Sequence, residues 1–113
     1  MVPMQVRGRQ LDFNHMGFMA DFWAWDDEVA RGLAEEEGLQ LQAGHWAVIR
    51  FLRDFYCGHL IPPPARAMYR ALGESLGRER TSAGEAIGRL FPDGGCEQAC
   101  RIAGLPDYLC RSL

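Results

Sequence analysis

The chain has 113 residues, 48% of them apolar and 24% charged, a globular balance at a length that suits one domain and can bury a core without disulfide staples. Its net charge of −3 argues against a dedicated nucleic-acid binder, which carries a basic excess, and no apolar run approaches the roughly 20 residues of a membrane span. All twelve basic residues are Arg, which reads as codon bias first.

Met4–Phe13, "MQVRGRQLDF", places short β-prone pieces on either side of Arg7-Gly8-Arg9 and predicts a hairpin turning at Gly8. "MGFMADFWAW" follows, with Phe18, Phe22, Trp23 and Trp25 expected to lie over the core. Asp26 or Asp27 caps a predicted helix through "EVARGLAEEEG", with Val29 and Leu33 on one face, Glu35–Glu37 as a solvated run and Gly38 as the stop. "HWAVIRFLRDFYCGH" carries the strongest helical pattern. Trp46, Ile49, Leu52, Phe55 and Tyr56 form the expected buried stripe, and Arg50, Arg53 and Asp54 fall outside it.

Three prolines then break the chain, and Pro64 suits the first turn of a further helix with Ala65, Met68, Leu72 and Leu76 inward and an end at Gly77. Ser82-x-x-Glu85 has the form of a capping box for "TSAGEAIGRLF". Pro92, Gly94 and Gly95 mark a turn before a short helix over "CEQACRIAG", ended by Gly104, and Pro106 leaves the remainder as an arm. The sum is a mostly α fold: a small orthogonal helical bundle with an N-terminal β-hairpin and a mobile C-terminal arm. Residues 1–113 form one domain, with 104–113 as the cysteine-bearing arm.

The first fifteen residues lack a basic segment followed by an apolar stretch, so no secretory signal and a cytoplasmic location are expected. In that compartment cysteines more often serve metal, catalysis or redox chemistry than structural disulfides. Three of the four cysteines, Cys96, Cys100 and Cys110, stand in the last eighteen residues. Cys96 and Cys100 share a helix face. The arm beyond Ala103 spans at most about 25 Å when extended, long enough to reach a partner and equally able to fold back for a disulfide.

Thiolate character governs sulfur reactivity, and Arg111 beside Cys110 and Arg101 beside Cys100 favour it. Cys96, at a helix start, gains from the helix dipole, whereas Cys100 lies nearer the unfavourable end. Cys110 therefore reads as the exposed nucleophile and Cys100 as a less acidic resolving thiol. Cys96 stays open between a small helix residue and a third redox thiol.

Two rival readings take other residues. Cys57, His59, Cys96 and Cys100 would supply three sulfurs and a nitrogen to zinc, but neither half has the two-residue separation of familiar sites, so no metal and no cofactor are expected. Cys57 then reads as a buried small apolar residue. The helices on either side of the proline break could form a helix-turn-helix with Arg66 and Arg70 toward DNA, but the break is longer than the usual turn. DNA is therefore not an expected partner, nor is direct membrane insertion.

The tail "LFPDGGCEQACRIAGLPDYLC" resembles the C-terminus of the DsrC/TusE family of sulfur-relay proteins, as do "HWAVIRFLRDFY" and "IPPPARAMYRALGESLG" in the middle. The N-terminal "VRGRQLDFNHMGFMADFWAW" matches more loosely. The family pattern "GLPKPTGC" is here "GLPDYLC", one residue shorter. Gly95-Cys96 replaces the usual Gly-Pro, and Arg111, Ser112 and Leu113 trail the last cysteine; Cys57 and Cys96 lie outside the pattern.

The resemblance implies a helical domain with a mobile tail, acting as a carrier rather than a stand-alone enzyme. Its last cysteine, Cys110, bears persulfide sulfur, and Cys100 resolves it as a disulfide or trisulfide. Possession of both cysteines resembles the DsrC branch of dissimilatory sulfur metabolism. The implied partners are dissimilatory sulfite reductase, a heterohexameric sulfurtransferase donor and a membrane-bound thiol–disulfide redox complex. The alternatives are a TusE-like carrier for tRNA thiolation and a helix-turn-helix regulator of sulfur genes.

Overall fold

The computed structural model describes residues 2–64, 66–68, 70–71 and 80–107. Strands β1 (Val2–Val6) and β2 (Arg9–Phe13) pair antiparallel, with Val6 opposite Arg9 and Val2 opposite Phe13. The turn residues Arg7 and Gly8 have φ of 50° and 83°. A tight two-residue turn with the twist of the flanking strands demands positive φ at both places, which Gly8 adopts freely and Arg7 only against its Cβ. The Arg7 guanidinium is held at 2.7 Å by both Glu28 and Glu35. Those ion pairs tie the turn to the next helix and hold the Arg7 pKa above its ordinary value, with Glu35 the larger cause.

Asn14 Oδ1 accepts from the backbone N–H groups of Met16 and Phe18, which bends the chain so that Phe18 and Met19 enter the core. A 3-10 turn, Phe22–Ala24, follows. Phe18 and Phe22 are buried and Trp25 is half-buried, as the aromatic run leads one to expect. Trp23, however, is 68% exposed, and Met19 occupies core space in its place.

Helix α1 (Asp27–Glu36) is capped by Asp26, whose carboxylate accepts from the Val29 N–H at 3.0 Å and sits below the usual carboxylate range because of that bond and of Arg9. Its buried face is Val29, Ala30, Leu33 and Ala34. Gly32 also faces inward: a Cβ there would lie 2.5 Å from Val6 Cγ1, so the close approach of α1 to the hairpin needs glycine.

Helix α2 (Ala43–His59) buries His45, Val48, Ile49 and Leu52. The expected stripe is therefore rotated: Ile49 and Leu52 lie in it, but Trp46, Phe55 and Tyr56 are half-buried along its flanks. The His45 ring makes the rotation possible. It accepts the Gln42 N–H at Nδ1 and reaches the Leu90 carbonyl at 2.8 Å through Nε2, so a polar ring sits inside at little cost.

Leu60, at φ 59°, ends α2, and helical backbone resumes at residues 66–68 and 70–71 with Met68 buried. Ala65, Leu72, Leu76 and Gly77, expected in that helix, lie outside the described residues. Helix α3 (Arg80–Leu90) has Ser82 within its span rather than at its first residue, and the side chain of Ser82, expected in a capping box, lies outside the described residues. Ile87 and the following Phe91 are buried. Helix α4 (Cys96–Ile102) packs against both α1 and α2, and α2 also packs on α3. No helix among the described residues is long and apolar enough to cross a membrane.

The rotation of α2 has a measurable consequence. Leu52 is fully buried and Trp46 is not. Leu52→Ala is expected to lower the unfolding free energy by about 3 kcal/mol, and Trp46→Ala by less, about 1–2 kcal/mol. Urea melts giving the reverse order would refute the packing described here.

Candidate functional site

The cysteine-bearing segment is built on α4. Its entrance is Gly94 and Gly95, at φ 132° and 60°, and its exit is Gly104, at φ 78°. At the exit the Gly104 N–H bonds the Arg101 carbonyl and the Leu105 N–H bonds the Cys100 carbonyl. This paired 5→2 and 6→1 closure is the Schellman end of a helix and requires a left-handed residue at Gly104. It also turns Leu105 inward, so that Ala103, Leu105 and Cys100 are all fully buried. The arm expected over 104–113 thus begins inside the core.

Two aromatic contacts lock this exit. Trp25 Nε1 donates to the Ile102 carbonyl at 2.8 Å. Its indole lies so close to Gly104 that a Cβ there would be 2.5 Å from the ring. Arg53 donates to the Ala103 carbonyl at 2.8 Å and to the Phe22 carbonyl at 3.0 Å, with its guanidinium over both the Phe22 and Trp25 rings. Half burial pulls the Arg53 pKa down to about 10, which still leaves it charged at neutral pH. Arg53 was expected outside the apolar stripe of α2. The missed signal is that it follows Ile49 by four residues and so borders the buried face, beside a chain segment rich in aromatics.

The opposite side of α4 is held by Gln98, which is fully buried. Its side-chain oxygen accepts the Asp93 N–H and its amide donates to Glu37 Oε1, both at 2.9 Å. Arg101 reaches the same carboxylate oxygen at 3.0 Å and approaches Glu97 at 3.8 Å. Of the Glu35–Glu37 run expected to face solvent, Glu37 is instead a half-buried acceptor for α4, and Glu35 is an ion-pair partner of Arg7.

The thiols occupy contrasting places. Cys100 is a free thiol with no exposed surface. Burial first, then the charges of Asp107 and Glu97, push its pKa up to about 12; Arg101 acts the other way and is outweighed. The sequence-based expectation that Arg101 would favour a thiolate at Cys100 fails because the guanidinium is spent on carboxylates while the sulfur is desolvated. Cys96, one helical turn earlier, is half-buried and disulfide-bonded.

Cys57, expected to be buried, is an exposed free thiol near the end of α2. His59, also exposed, bonds only the carbonyl of its own helical turn, that of Phe55. No group of three or more potential metal ligands occurs among the described residues. Arg66 and Arg70 are exposed. Cys110 and Arg111 lie outside the described residues.

These features define a small, mostly helical thiol protein whose two-cysteine helix is clamped to the core immediately before a third cysteine in the tail. The family model "DsrC like protein" matches residues 5–110. The sulfurtransferase TusE of Pectobacterium atrosepticum is 36% identical over 103 residues, covering 91% of this chain and 94% of that protein. The TusE of Escherichia coli K12 is 35% identical over 99 residues, covering 88% and 90%.

Among solved structures, the oxidized gamma-subunit of the dissimilatory sulfite reductase (DsrC) from Archaeoglobus fulgidus superposes with a TM-score of 0.85 at 33% identity, covering 96% of this chain and 99% of that one. DsrC of Allochromatium vinosum superposes at 0.79 with 35% identity, covering 93% of each chain. The chain belongs to the DsrC-like family, a family of sulfur-relay proteins, as the tail motif implies. The helical fold with its N-terminal hairpin is the fold of those neighbours.

Two outcomes follow from this packing. Gly104→Ala forces a Cβ into the Trp25 indole at a positive φ and is expected to cost about 2 kcal/mol or more in a urea melt. The second is a pH dependence. The folded pKa of Cys100 is raised above the ordinary thiol value, so the folded state keeps a proton that the unfolded chain releases. The stability this provides is complete below about pH 8.5 and is lost between there and pH 12, by at most about 1.4 kcal/mol per pH unit. Cys100→Ala should flatten that part of the stability–pH curve, and a slope unchanged from wild type would count against the burial of the thiol.

Proposed function

We propose that the protein is a sulfur carrier that accepts persulfide sulfur on Cys110 and hands it to a partner protein, as the name of its sulfurtransferase relatives suggests. The observation that carries this reading is the match to the DsrC-like family, which runs through residue 110 and so spans α4 and the tail cysteine. The geometry supports it. The last described stretch, Pro106–Asp107, follows an exit clamped by Arg53, Trp25 and the Schellman closure, which gives the tail a firm base. A persulfide at Cys110 is released when an upstream thiolate displaces it. Cys100, at the position implied by the family, and Cys96, one turn before it, are the two candidates.

Identity of up to 37% to sulfurtransferases named TusE favours a transfer role of the TusE kind, in tRNA thiolation, over the dissimilatory role. The second reading, service to a dissimilatory sulfite reductase, rests on the structural match to the gamma-subunit of that enzyme and on the presence of a cysteine at position 100. In the first case the donor is a persulfide-bearing sulfurtransferase. In the second the partners are a sulfite reductase and a thiol–disulfide redox complex. Arg111, next to Cys110, favours the thiolate that attacks the donor.

Incubation of the reduced protein with inorganic polysulfide should add about 32 Da, one sulfur atom, to Cys110 by intact mass and peptide mapping. Cys110→Ser should abolish that gain and Cys57→Ser should leave it intact. Undiminished loading of Cys110→Ser would overturn the carrier reading.

A further inference from the structure

We infer that the exit turn of α4, Ile102–Leu105, is a gate over Cys100: it lifts from the core while the rest of the fold stays closed, and Arg53 and Trp25 are the clasp that sets how often it lifts. The gate is independent of the carrier reading. It concerns access to one thiol, whatever that thiol reacts with.

In the closed state Cys100 is sealed. It has no exposed surface, and Ile102, Ala103 and Leu105 beyond it have none either. Ala103 and Gly104 follow Cys100 by three and four residues and so share its side of the helix. The Cys100 carbonyl is itself closed by the Leu105 N–H. Burial also pushes the thiol pKa up to about 12, so the sealed sulfur stays protonated at neutral pH.

The helix is anchored at two separate places. Along its flank, Gln98 bonds the Asp93 N–H and Glu37, and Arg101 pairs with the same Glu37. The exit is held by a different set. Trp25 donates to the Ile102 carbonyl, Arg53 donates to the Ala103 carbonyl, and the Schellman bonds run from Gly104 and Leu105 back to Arg101 and Cys100. Lifting Ile102–Leu105 breaks the second set and leaves the first intact.

The exit also carries little apolar surface of its own. Of its four residues only Ile102 and Leu105 withdraw large side chains; the other two are Ala103 and Gly104. Hydrogen bonds to carbonyls therefore supply much of what closes it. A segment of this kind opens at lower free energy than the whole domain. The packing of Val6 against Gly32 of α1, on separate elements, takes no part in that opening.

Arg53 is the controlling group because one guanidinium holds two segments. It donates to the Phe22 carbonyl at 3.0 Å and to the Ala103 carbonyl at 2.8 Å, and lies 3.7 Å and 4.0 Å from the centres of the Phe22 and Trp25 rings. Removing it frees the exit carbonyl and uncovers one side of the indole that packs on Gly104.

The test is thiol labelling of the reduced full chain with methyl methanethiosulfonate at neutral pH. Samples are quenched in acid and digested after Glu97 and Arg101, so that Cys100 is read by mass in the peptide Gln98–Arg101. Each rate is divided by that of the same thiol in the urea-unfolded chain, and the exposed Cys57 supplies the rate of an accessible thiol. Wild-type Cys100 should label more than about tenfold more slowly than Cys57, with weak urea dependence below the unfolding transition, because a local opening exposes little surface. Arg53→Gln should speed Cys100 labelling at least about fivefold. Trp25→Phe, which keeps a ring and loses the donor, should act in the same direction. Val6→Ala, which loosens the hairpin against α1 and lowers global stability, should leave the rate within about twofold of wild type.

Labelling of Cys100 within about tenfold of Cys57 overturns the seal. A rate that climbs steeply with urea from the start, or that rises in Val6→Ala in step with its global unfolding constant, means that the thiol is exposed only by global unfolding, and overturns the gate. A smaller rise than about fivefold in Arg53→Gln overturns the clasp. If that variant does not fold, an unchanged rate in Trp25→Phe overturns it instead.

Discussion

The arrangement of this protein depends on one half-buried cation. Arg53 of α2 reaches across the core to the carbonyls of Phe22 and Ala103, between the faces of Phe22 and Trp25. A desolvated guanidinium is costly unless its donors and its charge are answered. Here backbone oxygens answer the donors and two aromatic faces answer the charge. The consequence is a three-way joint. The aromatic segment after the hairpin, the long central helix and the C-terminal end of α4 meet at one side chain. Trp25 completes the joint by donating to Ile102 and filling the space a side chain at Gly104 would need.

That joint explains why α4, a helix of only seven residues, holds its place. A helix this short is not stable by itself. It is secured at its exit by Arg53, Trp25 and the Schellman closure, and along its flank by Gln98, Arg101 and Glu37. The cost of this security is chemical. The same contacts that secure the exit of α4 surround Cys100, which is fully buried, while Cys96, at the helix start, is half-buried. A helix with one fully buried thiol and one half-buried cysteine, a turn apart, is a contrast that the spacing of the cysteines alone does not contain.

Membership of the DsrC-like family was legible in the chain because its tail motif is contiguous: "QACRIAGLP" binds helix, stop and exit into one short string. The local devices were legible for the same reason. Gly8 marks the hairpin turn, Asp26 the start of α1 and Gly104 the end of α4, and each acts on backbone within a few residues of itself. Ser82 shows the limit of such signals, since helical backbone is already present at Arg80. The stripe on α2 was partly legible. Ile49 and Leu52 hold in any register, but Trp46 yields its place to Val48 and His45 because His45 finds the Leu90 carbonyl across the core.

By itself, then, the sequence determined the hairpin and its turn, the start of α1 at Asp26 and the end of α4 at Gly104, the helical class and the family, all of them consequences of contacts between near neighbours in the chain. The tertiary structure alone decided that Arg53 is half-buried against aromatic rings and Cys57 exposed, that Glu37 serves α4, and that Cys100 is fully buried while Cys96 is only half-buried. The physical reason is desolvation. Whether a charge or a thiol is stripped of water depends on which distant segments close over it, and the partners that close here, Phe22, Trp25, Leu105 and Glu37, come from separate parts of the chain.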